Sequence, residues 1–235
     1  VNLTDCKKPE DVYQLVAGIV KNMVTADLGS NELFGKRDES KPERKTVMTL
    51  GMLASVSLPF IERKLVKRNV LTFGYASKEF GMSEQHFEDT MAPLELKWLK
   101  GEIDAHPFGE TDDEWRLFSR YLAKRTLAAI KSVLPAAAEA MEFMQKLAKA
   151  LAHEGKPLRW TTPAGVPCIN RYHEAKVERV KLFCTSNGVK AVRKVTVATG
   201  YETPIAKEKA AAGIAANFTH SNDAAHLLLT SAACA

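Results

Sequence analysis

Four basic side chains lie within six positions of ERKLVKRNVLTFGYASKEFG, residues 62–81. On a helix, Arg63 and Lys67 are one turn apart and share a face, with Arg68 beside them. Arginine offers forked hydrogen bonds to phosphate oxygens, and lysine offers a compact charge. Tyr75 follows Lys67 by about 12 Å along a helix axis, close to the span from a triphosphate to its sugar. The spacing predicts a nucleotide-binding helix; a solvated basic face beside a core tyrosine is the alternative.

The composition predicts a globular chain with a substantial core. Of 235 residues, 46% are apolar and 26% are charged, which suits one large domain or two smaller units. The net charge of +5 mildly favours a polyanionic partner. No stretch resembles a membrane span or a signal peptide, so we expect a soluble chain. The four cysteines, Cys6, Cys168, Cys184 and Cys234, form no C-x-x-C pair, so we expect reduced, buried thiols in a cytoplasmic protein.

Helical periodicity covers most of the chain. Pro9 suits a first helical turn, and Thr111 with Glu114 forms a capping box. Polar or Gly/Pro-rich connections are predicted at 29–44 and 100–110. The first predicted helix covers about 9–27, and the next segment, 46–75, is broken near Pro59. A third helix covers about 83–99 and bends at Pro93. The last two, 111–135 and 135–155, form a helical hairpin.

One β-hairpin interrupts the helices. The segments AKVERVKLFC and VKAVRKVTV alternate with period two around Asn187-Gly188, a strong turn signal. The fold class is therefore predominantly α, of α+β type, with one β-hairpin. That turn would place four basic residues on one face, Arg179, Lys181, Lys190 and Lys194. A basic ribbon suits a DNA major groove, and a plain solvated sheet face is the alternative.

Several stretches carry a resemblance to a known family. They are the Arg63-to-Arg68 cluster with Tyr75 and SKEFG, together with DVYQLVAGIV, FEDTM, AMEFMQKLAKALA, WTTPAGVP and GIAANFTHSNDAAHL. In this order they resemble the single-subunit DNA-directed RNA polymerases of bacteriophages, which are similar to the mitochondrial enzymes. The resemblance spans nearly the whole chain and is weakest around 28–45 and 100–110.

The resemblance implies that 1–220 is the fingers subdomain of a right-hand polymerase and that 221–235 is the truncated start of the returning palm. The fingers would include a nucleotide-binding helix, 62–75, and a hairpin, 177–197. It implies DNA-templated RNA synthesis, with promoter and template DNA, ribonucleoside triphosphates and nascent RNA as partners of a monomeric parent polymerase. A phage-encoded protein would act in the host cytoplasm.

The family also implies roles for individual residues. Arg63, Lys67 and Arg68 would bind the incoming triphosphate, and Lys67 would assist proton transfer to the departing pyrophosphate. Tyr75 would close the pocket under the nucleotide and favour ribose. Tyr13 and His220 would line the nucleotide pocket, and Phe80 would stack near the template strand. Arg179 and Lys181 would contact promoter DNA, with Lys194 on the same face of the hairpin. From chemistry alone, Phe80 would be a core residue and His220 a structural one.

The chain departs from the family pattern in places. Ala76 stands where the family usually has Gly, so Gly74 is expected to supply flexibility there. Ser221 is predicted to cap the last helix. The family holds two metal ions with aspartates in D-G-S-C-S-G-like and H-D-S-F-G-like stretches, and neither occurs here. The resemblance therefore implies Mg²⁺ held by aspartates outside this chain.

Three alternatives remain from the sequence alone. A family A DNA polymerase shares the Arg, Lys and Tyr spacing, but Leu71 stands where those enzymes commonly carry an aromatic residue. A non-enzymatic helical DNA-binding module would also need a basic helix and ribbon. An interrupted gene is the third. The chain begins with Val1 and stops within the apolar pattern HLLLTSAACA, so we expect both ends to be cut and the isolated chain to lack polymerisation activity.

Overall fold

The computed structural model of the chain describes residues 11–35, 47–186 and 189–235. It is mostly helical with small antiparallel sheets. The helices are α1 (Val12–Asp27), α2 (Leu50–Ser57), α3 (Arg63–Phe73), α4 (Glu79–His86), α5 (Ala92–Leu99), α6 (Asp112–Val133), α7 (Pro135–His153) and α8 (Lys207–Cys234). The strands are β1 (Leu33–Gly35), β2 (Val47–Thr49), β3 (Leu158–Thr161), β4 (Pro167–Asn170), β5 (His173–Ser186) and β6 (Val189–Ile205). The chain divides into two compact units, Val1–Glu139 and Ala140–Ala235.

The first unit is built around α6, which packs against α1 and α4. Thr111 and Glu114 form the predicted capping box at its start. Buried side chains from these helices make the core, and they include Val16, Val20, Met82, Leu117, Phe118, Tyr121 and Leu122. The Tyr121 hydroxyl donates a hydrogen bond of 2.7 Å to Asp27 Oδ2, which also pairs with Arg125 at 2.7 Å. This core is the support for α3, which packs on α1, α4 and α6.

The N-terminal predictions hold in outline. Helix α1 begins at Val12 because Asp11 caps it, accepting a hydrogen bond from the backbone N–H of Tyr13. Pro9 lies outside the described residues. The predicted loop at 29–44 contains β1, which pairs with β2 in an antiparallel ladder that periodicity did not predict because each strand has only three residues.

The predicted helix over about 83–99 is three consecutive elements. Helix α4 leads into a π-helical turn, Phe87–Met91, and then into α5 with Pro93 in its first turn. Proline has no N–H to bond the carbonyl four residues earlier, and here the wider π turn accommodates this loss without ending the helix. The break near Pro59 is confirmed by a 3₁₀ turn, Leu58–Phe60.

The second unit contains β3–β4, the hairpin β5–β6 and α8. The sequence predicted one hairpin, whereas the described residues form three two-stranded antiparallel sheets. Gly213 of α8 lies against the ring of Tyr172, where a Cβ would approach the hydroxyl oxygen to 2.6 Å. Only glycine allows this close packing of α8 on the chain between β4 and β5.

The last helix is longer than the sequence predicted. Ser221 does not cap a helix, because α8 runs without interruption from Lys207 to Cys234 and places Ser221 in its interior. The expected boundary between 220 and 221 therefore falls within one continuous helix. The division between the two compact units falls inside α7, so the predicted hairpin packing of α6 and α7 stays a prediction.

Candidate functional site

Helix α3 presents the predicted cations on its outer side. Its inner side buries Val66, Asn69, Val70 and Phe73. The exposed residues of the helix include Arg63, Lys67 and Arg68. Apolar positions at helical spacing hold the inner face against the unit, and the charged positions between them must then face solvent.

Arg63 points towards the start of α1. Its Nε donates to Asp11 Oδ2 at 2.5 Å, and its guanidinium carbon lies 5.0 Å from the centroid of the Tyr13 ring. The hydrogen bond from Arg63 lowers the pKa of the Asp11 carboxyl. The structure thus brings together Arg63 and Tyr13, which the family resemblance placed in one pocket.

Arg68 points towards the π turn. Its Nη1 donates to Asp89 Oδ1 at 2.7 Å and to Glu88 Oε2 at 3.0 Å. These carboxylates raise the pKa of the guanidinium, with Asp89 the larger cause. Arg63 and Arg68 therefore contact different carboxylates on different elements, and they do not converge on one point. Lys67 lies between them in sequence and has no carboxylate within 4 Å among the described residues.

Tyr75 lies in a turn beyond the end of α3 and not on the helix itself. The helix ends at Phe73, and Ala76 adopts a left-handed conformation with φ of 63°. The N–H of Ser77 donates to the Thr72 carbonyl at 3.1 Å, and that of Ala76 donates to the Phe73 carbonyl at 2.9 Å. These bonds form a Schellman motif, which leaves the Tyr75 side chain 41% exposed.

The chain therefore turns at Ala76 and not at Gly74. Gly74 has φ of −59° and ψ of −20°, an ordinary right-handed helical conformation, so the expectation that it supplies the flexibility is wrong. Glycine is the usual residue at the left-handed position of this motif. Ala76, which stands where the family usually has Gly, is thus the residue whose left-handed backbone conformation favours glycine.

Replacing Ala76 by glycine is expected to stabilise the chain. The left-handed conformation costs a residue with a Cβ about 1–2 kcal/mol, and part of the gain is offset by the greater freedom of glycine in the unfolded state, so we expect a net gain of about 1 kcal/mol. Urea unfolding measures this change. The control Ala128→Gly, at an exposed interior position of α6, should lose about 1 kcal/mol. Losses at both positions would contradict a left-handed Ala76.

Phe80 lies on the surface in the first turn of α4. Its side chain is 77% exposed, which excludes the core role that its chemistry alone suggested. An apolar ring held in water at a fixed position on a helix is available to stack on a flat partner.

The hairpin has the predicted register. Val180 pairs with Val195, Lys181 with Lys194, and Arg179 with Thr196. Since paired residues share a face, Arg179, Lys181 and Lys194 lie together. Asn187-Gly188 lies outside the described residues, although Ser186 pairs with Val189 on either side of it.

Both faces of the hairpin expose apolar side chains. Val180, Leu182 and Val195 are 37–46% exposed on the face opposite the basic residues. Phe183 lies on the basic face and is 82% exposed. The hairpin is therefore not a sheet with one buried and one solvated side.

His220 is an exposed residue in α8, in the second unit. Near it, the Trp160 indole N–H donates to Ser221 Oγ at 2.9 Å, and the rings of Trp160 and Phe218 lie 5.9 Å apart. Ser221 thus anchors α8 to strand β3. His220 belongs to a different compact unit from α3.

Comparison with known proteins agrees with the sequence resemblance. The family model for DNA-dependent RNA polymerase matches residues 1–235. The chain belongs to the DNA-dependent RNA polymerase family. It is 32% identical to "T7 RNA polymerase" of Escherichia phage T7 and to "DNA-directed RNA polymerase" of Enterobacteria phage K11. Each alignment covers 98% of this chain, and it covers 27% of the phage T7 protein and 26% of the phage K11 protein. It is 30% identical over its whole length to "DNA-directed RNA polymerase 3, chloroplastic" of Nicotiana sylvestris, matching 20% of that protein.

The RNA polymerase match favours this family over a family A DNA polymerase or a non-enzymatic DNA-binding module. The chain spans about a quarter of the length of the phage relatives. Both phage and plant organellar polymerases are among its relatives, as the resemblance to phage and mitochondrial enzymes predicted.

The described part of this polymerase segment offers no metal site. Across 11–35, 47–186 and 189–235, no group of three or more His, Cys, Asp or Glu side chains is arranged to hold a metal ion. No described helix is long and apolar enough to cross a membrane.

The cysteines were predicted to be buried, and this is wrong for Cys234, which is exposed near the end of α8. Cys168 is half-buried, and both thiols are free. Cys6 and the Cys184 side chain lie outside the described part of the chain.

Sequence reasoning missed the carboxylates that contact the cations. Glu88 and Asp89 belong to FEDTM, a motif of the family resemblance in which the acids had no predicted role. Two adjacent acidic residues shortly before Pro93 were the available signal. Asp11 was identifiable only as an acid near a helix start, since its partner Arg63 lies 52 residues away.

Proposed function

We propose that this chain supplies the nucleotide-binding and DNA-contacting part of a DNA-templated RNA polymerase. The observation that supports this best is the exposed row of Arg63 and Lys67 on α3, with Tyr75 exposed in the turn beyond it, in a chain of this family. In this proposal, 1–220 corresponds to the fingers of a right-hand polymerase and 221–235 to the start of the returning palm.

The proposed reaction is nucleotidyl transfer. The 3′ hydroxyl of the nascent RNA loses its proton to water, and its oxygen bonds to the α-phosphorus of a ribonucleoside triphosphate. The bond between the α-phosphorus and the oxygen that bridges to the β-phosphate breaks, and pyrophosphate leaves. The ammonium group of Lys67 would bind the outer phosphates and give a proton to the leaving pyrophosphate. Arg63 would hold the same phosphates through its fork, with the Tyr13 ring fixing its orientation.

The sugar and base side of the nucleotide is assigned to two residues. Tyr75 would lie under the nucleotide and favour ribose, and His220 would approach the ribose hydroxyl. Both residues are exposed to solvent. Mg²⁺ is proposed to be held by aspartates elsewhere in the polymerase, where it would stabilise charge on the transferred phosphoryl group.

The DNA contacts are assigned to two surfaces. Phe80 would stack near the template strand, and its exposed ring supports this assignment. Arg179, Lys181 and Lys194 would read promoter DNA in the major groove, supported by their common face on a two-stranded ribbon. We propose a monomeric parent polymerase acting in the host cytoplasm if it is phage-encoded.

Protection of Lys67 from chemical modification tests the nucleotide assignment. The chain is treated with an amine-acylating reagent with and without ATP, and modification is measured by peptide mass spectrometry. We expect ATP to slow acylation of Lys67 severalfold and dATP to protect less well. Lys131, an exposed lysine on α6, is the control and should be modified at the same rate throughout. Equal modification of Lys67 with and without ATP would falsify the assignment.

A further inference from the structure

The outer side of α3 divides into two surfaces. Arg63 contacts α1 through Asp11 and Tyr13. Arg68 contacts the π turn through Glu88 and Asp89. Adjacent helical residues project about 100° apart, so Arg68 leaves the helix in a different direction from Lys67.

Arg68 continues a line of polar contacts between α3 and α4. The Asn69 amide donates to Gln85 Oε1 at 2.9 Å, and it is buried. Thr72 Oγ1 accepts a hydrogen bond from Gln85 Nε2 at 3.1 Å and donates one to the Arg68 carbonyl at 3.0 Å. Arg68 is therefore part of the contacts that join α3 to α4 and the π turn that follows it.

We propose that Arg68 is a positioning residue that fixes α3 to the π turn through Asp89 and Glu88, and that the triphosphate is bound by Arg63 and Lys67 without it. This inference rests on the proposed nucleotide-binding function and revises the role that the family resemblance implied for Arg68. Two carboxylates within 3.0 Å of one guanidinium nitrogen carry more negative charge than the guanidinium carries positive charge. A triphosphate at the same group would lie beside both carboxylates and be repelled by them.

Two consecutive acids of the π turn reach one arginine. Glu88 and Asp89 both point towards Nη1 of Arg68. The pair gives α3 a fixed orientation relative to α4 and α5, which a phosphate-binding helix requires for a defined pocket.

A charge exchange tests the inference. Four forms of the full chain are compared: wild type, Arg68→Glu, Asp89→Arg and the double variant. Each is assayed by urea unfolding and by titration with a ribose-labelled fluorescent ATP. Each single variant should lower both stability and affinity, the latter by about tenfold, because the exchange of one partner opposes like charges. The double variant should recover most of both losses.

The double variant separates positioning from phosphate binding because it restores an ion pair but moves the cation to the π turn. Recovery of stability without recovery of affinity would show that Arg68 binds phosphate, and would overturn the inference. Absence of coupling between the two positions in unfolding would also overturn it. Where Arg68→Glu fails to fold, Arg68→Gln and Asp89→Asn replace the charge reversals, and non-additive losses in stability and in affinity are then expected.

Lys67→Glu provides the matched comparison. Combining it with Asp89→Arg should restore neither the stability in urea nor the affinity for the labelled ATP. If Lys67→Glu itself leaves ATP affinity unchanged, the proposed nucleotide-binding function fails. The coupling between Arg68 and Asp89 in unfolding is still decided by the charge exchange, so the two failures are distinguishable.

Discussion

Lys67→Ala is expected to weaken binding of a ribose-labelled fluorescent ATP to this chain by about 10- to 100-fold. A charge-assisted hydrogen bond contributes about 1.5–3 kcal/mol, and each 1.4 kcal/mol corresponds to tenfold in affinity. Lys67 is exposed and has no carboxylate within 4 Å among the described residues, so its charge is available to a phosphate. Equilibrium titration at a fixed ionic strength of about 0.1 M measures the effect, because phosphate contacts weaken as salt rises.

The control for this experiment is Lys131→Ala, which removes the same charge from an exposed position on α6. Its affinity for the nucleotide should stay within about twofold of wild type, because exposed charges beyond a Debye length of roughly 10 Å are screened. Arg63→Ala should weaken binding less than Lys67→Ala, since Arg63 must release Asp11 in order to engage phosphate. Similar affinities for the Lys67 and Lys131 variants would refute a phosphate role for α3.

Acid should destabilise the first unit before most carboxylates protonate. His86 is buried on α4 with its Nε2 3.4 Å from Thr126 Oγ1 of α6, and burial lowers its pKa from 6.5 to about 4. The unfolded chain therefore binds a proton below pH 6.5 that the folded chain binds only near pH 4. The contribution of neutral His86 to the free energy of unfolding is complete above pH 6.5. It is lost as the pH falls, and the loss reaches about 3 kcal/mol at pH 4 and below.

Urea unfolding between pH 7.5 and 4 tests this prediction. His86→Met should flatten the curve over that window, whatever its effect on stability at pH 7.5. His106 adds a change of the same sign, because burial lowers its pKa as well. The exposed His153 is the control, and His153→Gln should retain the wild-type pH dependence. A His86→Met protein that loses stability in acid as steeply as wild type would rule out His86 as the cause.

Local sequence rules predicted the elements on which the candidate site is built. Apolar residues at helical spacing placed α3, and the capping box placed the start of α6, because these signals depend on neighbours within about one turn. Period-two alternation placed the long hairpin and the shared face of Arg179 and Lys181. The resemblance in motifs such as GIAANFTHSNDAAHL identified the family, since an ordered set of motifs is specific in a way that one basic helix is not.

The partners of the charged residues and the ends of the elements depend on tertiary packing. Arg63 meets a carboxylate 52 residues away and Arg68 meets one 21 residues away, and no local pattern specifies such pairs. The left-handed turn at Ala76 and the interior position of Ser221 contradict the usual preferences of alanine and serine. Packing of the surrounding helices outweighs those preferences because each is worth only about 1 kcal/mol. The set of side chains proposed to bind a nucleotide follows from residue type and spacing, whereas the direction in which each one points follows from long-range contacts of the folded chain.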